Sequence, residues 1–305
     1  MFIIRKFIPV VVLASLLLTA CGGATPSGQS GLKVVTSSTL VGDVTRQVGS
    51  DLIELTVLFP PGADPHTFEP RPQDVAAISE ADIIVINGLG LEEALEPTLE
   101  ANAKGVVVHA SEGIEVLAFE GEEHEGEEHE GGDPHTWTDP NNVIVWTENI
   151  AAALAEADPA NAATYRANAD AYIASLRELD GWIRSEVEQI PAERRKLVAD
   201  HLAFGYFAEE YGFEQIGALV GSFSTNAAPS AQELAALEDT IKTQNVTAVF
   251  VGKTVNPELA AQVAQDTGTK LVFLYTGSLS EEGGEADSYI KFMRYNVNAI
   301  IEALK

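Results

Sequence analysis

Two copies of Asp-Pro-His-Thr carry the first recognisable chemistry in this chain, in GADPHTFEP around His66 and GDPHTWTDP around His135. In each, the proline restricts the backbone beside the histidine, and an aromatic residue, Phe68 or Trp137, lies two positions after the ring. One such tripeptide reads as a turn, whereas two with similar flanks predict imidazoles that share a ligand. His201, in KLVADHLAFGYFAEEYG, follows a strand-like run and is predicted in the first turn of a helix. The positive end of a helix disfavours imidazolium there and keeps the ring competent as a ligand. Packing at a strand end is the other role open to it. Asp287, in EEGGEADSYIKFMRYNV, opens the last helical segment, where a carboxylate either caps the helix or turns into a shared site. Three neutral imidazoles with one carboxylate form a tetrahedral or slightly expanded donor set, suited to Zn²⁺ and acceptable to Mn²⁺.

A different histidine-bearing stretch precedes His135. From Glu120 to Glu130 there are seven glutamates and two histidines, His124 and His129. Such a composition cannot build a core and predicts disorder. It reads either as a solvated spacer or as an auxiliary, low-affinity collector of cations ahead of the tight site. HEGEEH within it resembles a metalloprotease motif, but its histidines are five apart, not the four that place both on one helix face. A catalytic zinc also keeps a position open for water, so a four-ligand site argues for binding over hydrolysis. No catalytic residue is assigned.

The elements that must position these residues follow an alternating order. The runs KVVTSS, IELTVLF, ADIIVING and KGVVVHA are strand-like, with helical spacing in LVGDVTRQVG, RPQDVAAISE and LEEALEPTLEANA. That order predicts a parallel α/β lobe over 32–157, with the acidic loop at 119–132. A second lobe over 191–305 is predicted from KLVAD, VTAVFVG and KLVFLY with their intervening helices. Between them, residues 158–190 predict one long helix with Asp158 as N-cap and Pro159 at its first position. Its apolar face, Tyr165, Ala169, Tyr172, Leu176, Leu179 and Ile183, steps by three or four. A helix of that length behaves as a rod rather than a loose hinge. Both DPHT segments fall at the rim of the first lobe, the edge at which open α/β sheets bind ligands.

Composition narrows the class further. A net charge of −28 over 305 residues argues against nucleic acid as a partner, and 46% hydrophobic residues are enough for a sizeable core. The N-terminal MFIIRKFIPVVVLASLLLTAC has Arg5 and Lys6, a short apolar run and small residues before Cys21. Residues 1–20 therefore read as a secretory signal peptide. Leu18-Thr19-Ala20-Cys21 resembles the bacterial lipobox, which predicts lipidation at Cys21 and a flexible linker over 21–31. Cys21 is the single cysteine, so no intramolecular disulfide can form.

With these motifs in order, residues 32–305 resemble the zinc/manganese-type solute-binding lipoproteins of bacterial ABC importers. The resemblance rests on PPGADPHTFEPRPQD, GDPHTWTDPNN, DPANAATYRANADAY, DHLAFGYFAEEYG and ADSYIKFMRYN. It implies two α/β lobes bridged by one long helix and a metal in the cleft between them. It also implies His66, His135, His201 and Asp287 as ligands, and a membrane permease as partner. A histidine at position 201 and the preceding acidic histidine loop point to the zinc branch, while DPHT also occurs in manganese-type members. The expectation is a monomer, lipid-anchored on the periplasmic face or cell surface, that captures Zn²⁺ or, alternatively, Mn²⁺. A surface adhesin-type lipoprotein is the competing non-transport reading.

Overall fold

Parallel strands need helical crossovers, and each β-branched run of this chain is followed by a segment able to supply one. The structure, a computed structural model, describes residues 31–118 and 132–305. The signal peptide, Cys21 and the loop histidines His124 and His129 lie outside the described residues. The first half runs β1 (Leu32–Thr36), α1 (Thr39–Gly49), β2 (Ile53–Val57), α2 (Pro72–Glu80), β3 (Ile83–Ile86), α3 (Glu96–Asn102) and β4 (Val106–His109). Its strands form one parallel sheet in the order β2-β1-β3-β4. Then come α4 (Pro140–Ala157) and α5 (Ala162–Val187). The second half runs β5 (Lys196–Ala199), α6 (Gly205–Tyr211), β6 (Glu214–Ala218), α7 (Ala231–Thr243), β7 (Ala248–Gly252), α8 (Glu258–Thr267), β8 (Lys270–Leu274) and α9 (Tyr289–Leu304). Here β5 pairs with β6 and β7 with β8, all parallel, and β5 lies beside β7.

Helix ends follow local chemistry. The Ser38 hydroxyl accepts from the Val41 amide to start α1, and Ser230 with Glu233 forms a reciprocal capping box on α7. Gly212 and Gly268, with φ of 70° and 72°, end α6 and α8 in the left-handed region that a side chain resists.

The bridging helix begins later than the sequence predicts. Asp158 is the C-terminal cap of α4, not the N-cap of α5, and Asn161 precedes the first turn of α5. The Asp158 carboxylate accepts from Asn161 Nδ2 (2.6 Å) and Tyr165 Oη (3.0 Å), which stabilises the four-residue turn between two antiparallel helices. α5 still spans 26 residues, about 39 Å at ~1.5 Å per residue. Its expected face of Tyr165, Ala169, Tyr172, Leu176, Leu179 and Ile183 is buried throughout. Asn168 Nδ2 donates to Val48 O of the first half, and Asp180 accepts from Tyr211 Oη of the second, so the helix is fastened to both.

One apolar core extends through both halves of the fold and takes in Val34, Val85, Trp146, Leu176, Phe250 and Phe292. The outer faces are covered separately, with Ile84 and Ile86 beneath Ile78 and Leu99, and Val249 and Val251 beneath Ile241 and Val263. Burial on both faces explains why these strands read as continuous aliphatic runs instead of alternating ones. Gly31 to Lys305 forms a single compact unit.

Candidate metal centre

Each histidine of interest is fixed by an aspartate close to it in sequence. In the loop from β2 to α2, Asp64 Oδ1 accepts from the His66 amide at 3.0 Å. After β4, Asp133 Oδ1 accepts from the His135 amide at 2.9 Å and lies 2.8 Å from its Nδ1. The proline between aspartate and histidine lacks an N–H and has a fixed φ, which lets the carboxylate reach over it. His135 is anchored further through its neighbours. Pro134 O accepts from Asn87 Nδ2 and Asp133 O from Tyr206 Oη. In the second half, Asp200 Oδ1 accepts from the His201 amide at 3.0 Å and lies 3.1 Å from Nδ1, while Oδ2 accepts from Gly252 N at 3.1 Å.

His201 therefore stands in the loop between β5 and α6, not in the first turn of the helix as the sequence predicts. Asp200 pins this segment to the end of β7, and α6 starts only at Gly205. Its ring is oriented by a carboxylate and not by a helix dipole.

The three rings converge. His135 Nε2 lies 3.2 Å from His66 Nε2 and 3.2 Å from His201 Nε2, and the three ligand atoms all fall within 4.8 Å of one another. Two donors at ~2.05 Å from one tetrahedral ion stand about 3.3 Å apart, close to the spacing observed. A carboxylate at Nδ1 assigns the ring proton there and leaves the Nε2 lone pair facing inward. For His135 and His201 this brings the two Nε2 atoms together, a contact that a cation between them, metal ion or proton, relieves. A proton could bridge them only with an imidazolium present. Burial, with a smaller contribution from repulsion by His201, holds the His135 ring well below its ordinary range, so that ring stays neutral. Around this cage the carboxyls differ. Burial pushes Asp133 up to about 7. Burial also acts on Asp200, but hydrogen bonding and attraction from His201 outweigh it and leave that carboxyl below its usual value.

Asp287 does not join the rings. It accepts from Gly283 N at 3.0 Å and pairs with Lys291 Nζ at 2.7 Å, one helical turn along α9. Among the described residues, no cluster of potential metal ligands contains it. In this structure the expected fourth ligand instead makes a local ion pair, because a lysine at i+4 offers the carboxylate a nearer partner. D287N should leave metal affinity within about twofold of wild type in a competition titration. A tenfold loss would return the aspartate to the site.

The small cavity at the rings is walled by Asp64, Thr225, Thr254, Thr276 and Gly277 as well as the histidines. Sequence reasoning missed Asp64, Asp133 and Asp200 as positioning groups, although an aspartate precedes each of the three clustered histidines by one or two residues. A second acidic group, Asp139, Asp180 and Glu210, is satisfied internally by Asn141, Arg184 and Tyr211. His109 ends β4 and belongs to neither group.

Comparison with known proteins places this architecture. The family described as "Zinc-uptake complex component A periplasmic" matches residues 34–303. "Manganese-binding lipoprotein MntA" of Halalkalibacterium halodurans is 36% identical over 300 residues, covering 97% of each chain. A Mn-bound S38A mutant of the periplasmic metal-binding protein of Candidatus Liberibacter asiaticus superposes with a TM-score of 0.81 at 28% identity, covering 90% of this chain and 100% of that one. The periplasmic zinc-binding protein TroA of Treponema pallidum gives 0.79 at 26% identity, covering 89% and 98%. Fold and family together define a metal-binding, substrate-binding component of an ABC importer, not an enzyme. The chain belongs to the family of zinc-uptake complex component A proteins.

Proposed function

We propose that this protein captures Zn²⁺ outside the cytoplasmic membrane, holds it on His66, His135 and His201, and delivers it to an ABC permease as a monomer. The observation that carries the metal choice is the donor set, three imidazole nitrogens with no carboxylate among the clustered ligand atoms of the described residues. Nitrogen-rich sets suit zinc, whereas manganese favours carboxylate and water. A fourth position then falls to a solvent molecule or another small donor. The manganese reading has support of its own, since the relative at 36% identity is named manganese-binding. The adhesin reading has no comparable observation behind it.

Tethering fits the same picture. Cys21 as lipid-bearing residue after a cleaved signal agrees with relatives named lipoproteins. Among the described residues no helix is long and apolar enough to cross a membrane. His124 and His129 are given a collecting role only, which a chain lacking 120–131 tests. Unchanged zinc stoichiometry and unchanged loading at scarce zinc would remove that role.

Competition between Zn²⁺ and Mn²⁺ on the purified protein decides the metal. Wild type should prefer Zn²⁺ by at least about a hundredfold, and H201E should move the preference toward Mn²⁺ by exchanging a nitrogen for an oxygen donor. Equal or tighter binding of Mn²⁺ by wild type would overturn the zinc assignment.

A further inference from the structure

The backbone of His66 is tied across to the other half of the fold. His135 and His201 are buried, and each has an adjacent carboxylate at Nδ1. His66 is only half-buried, and part of what fixes it comes from the other half of the fold. The carboxylate of Asp64 is shared, with Oδ1 accepting from the His66 amide and Oδ2 from the Thr225 hydroxyl at 2.7 Å. The carbonyl of His66 accepts from Asn226 Nδ2 at 3.1 Å.

Thr225 and Asn226 belong to the connection between β6 and α7, and that connection crosses the whole site. Its base is tied beside His201, where Ser222 O accepts from Leu202 N at 3.0 Å. The Ser222 hydroxyl then accepts from Ser224 N at 3.1 Å, which turns the chain inward. Phe223, 7% exposed, sets its ring 6.4 Å from that of His135. One short segment therefore reaches the neighbourhood of all three histidines and ends by gripping the most accessible of them.

We propose that the segment 222–226 is a strap that governs how long the metal is retained, with Thr225 as its positioning residue for His66. The inference rests on the three-histidine site proposed above and adds to it the element that ties down the backbone of the outermost histidine. Without the hydroxyl, Asp64 keeps its bond to the His66 amide but loses the tie that fixes the carboxylate against the opposite half. The loop that carries His66 then loses one of the ties that hold it against the other two histidines. Outer partners of metal ligands are worth roughly 10- to 100-fold in affinity. Differences among variants of one site fall mostly on the dissociation rate.

The test measures Zn²⁺ transfer from loaded, purified protein to excess chromogenic chelator. T225V keeps the shape and removes the donor, and should release zinc about 10- to 100-fold faster than wild type. T225S restores the hydroxyl and should return the rate to within about threefold. The melting temperature of the metal-free proteins should stay level across the series, which separates positioning from general loosening. A wild-type rate in T225V, or equal acceleration in T225S, overturns the strap. Should T225V fail to fold, N226A carries the test, with faster release expected and a wild-type rate decisive against. If wild type itself holds no Zn²⁺, the site reading falls; if it holds Zn²⁺ tightly and the variants match it, only the strap falls.

Discussion

Replacing His135 by alanine should lower Zn²⁺ affinity by a hundredfold or more and leave a folded, metal-free protein. His135 is the hub of the cage, because its Nε2 takes part in both 3.2 Å contacts that bring the rings together. Its loss leaves His66 and His201 to bind from opposite halves with nothing between them. Structural zinc sites gather roughly 10–16 kcal/mol over four ligands, so one ligand accounts for about 3 kcal/mol, or some two decades in affinity. The freed cavity also leaves Asp133 buried with no imidazole to accept from. Isothermal titration of H135A against wild type measures the loss, and an affinity within tenfold of wild type would show that the three rings do not act as one site.

The second large effect concerns stability. Trp137 follows His135 by two residues and is 1% exposed, with its ring 5.2 Å from the histidine and 6.4 Å from Trp146. Its indole Nε1 donates to Thr276 O at 2.9 Å, and its own carbonyl accepts from Tyr289 Oη at 2.8 Å. The side chain thus fills the core below the site and ties the His135 loop to the segment after β8. W137A should cost about 3–5 kcal/mol through lost burial and the cavity left behind. At roughly 2–4 °C per kcal/mol for a chain of this size, the metal-free melting temperature should drop by about 10 °C or more. W137F, which keeps most of the volume but not the N–H, should lose a smaller part. A shift under about 2 °C for W137A would mean that the indole is not a structural tie.

The aromatic two residues after each DPH histidine was visible in the sequence, and so was the repeated tetrapeptide that marks His66 and His135. Their visibility has a physical basis, since a turn built from Asp, Pro and His uses only local bonds. The buried face of α5 was equally legible, because helical period and burial coincide along Tyr165, Ala169, Tyr172, Leu176, Leu179 and Ile183. What failed was decided by competition between partners. Asp158 could start one helix or end another, and Asn161 and Tyr165 settled it as an end. Asp287 had an inviting place before α9, yet Lys291 one turn ahead was the nearer charge. β6, with sequence EQIGA, has neither alternation nor an aliphatic run and exists because β5 supplies its hydrogen bonds. The roles of Asp133 and Asp200 required knowing which way each ring faces.

The core shared by both halves of the fold has a mechanical consequence. Many two-part binders possess a seam that gapes when empty and shuts when full, so their outline announces occupancy. Here a wide gape would draw Trp146, Leu176 and Phe292, all fully or nearly fully buried, toward water. Exposing each large apolar side chain costs about 1.5–3 kcal/mol, which soon rivals the entire stability of a domain. Full and empty molecules should therefore share one silhouette, and a transporter docking on this protein would have to sense its cargo by touch at the rim.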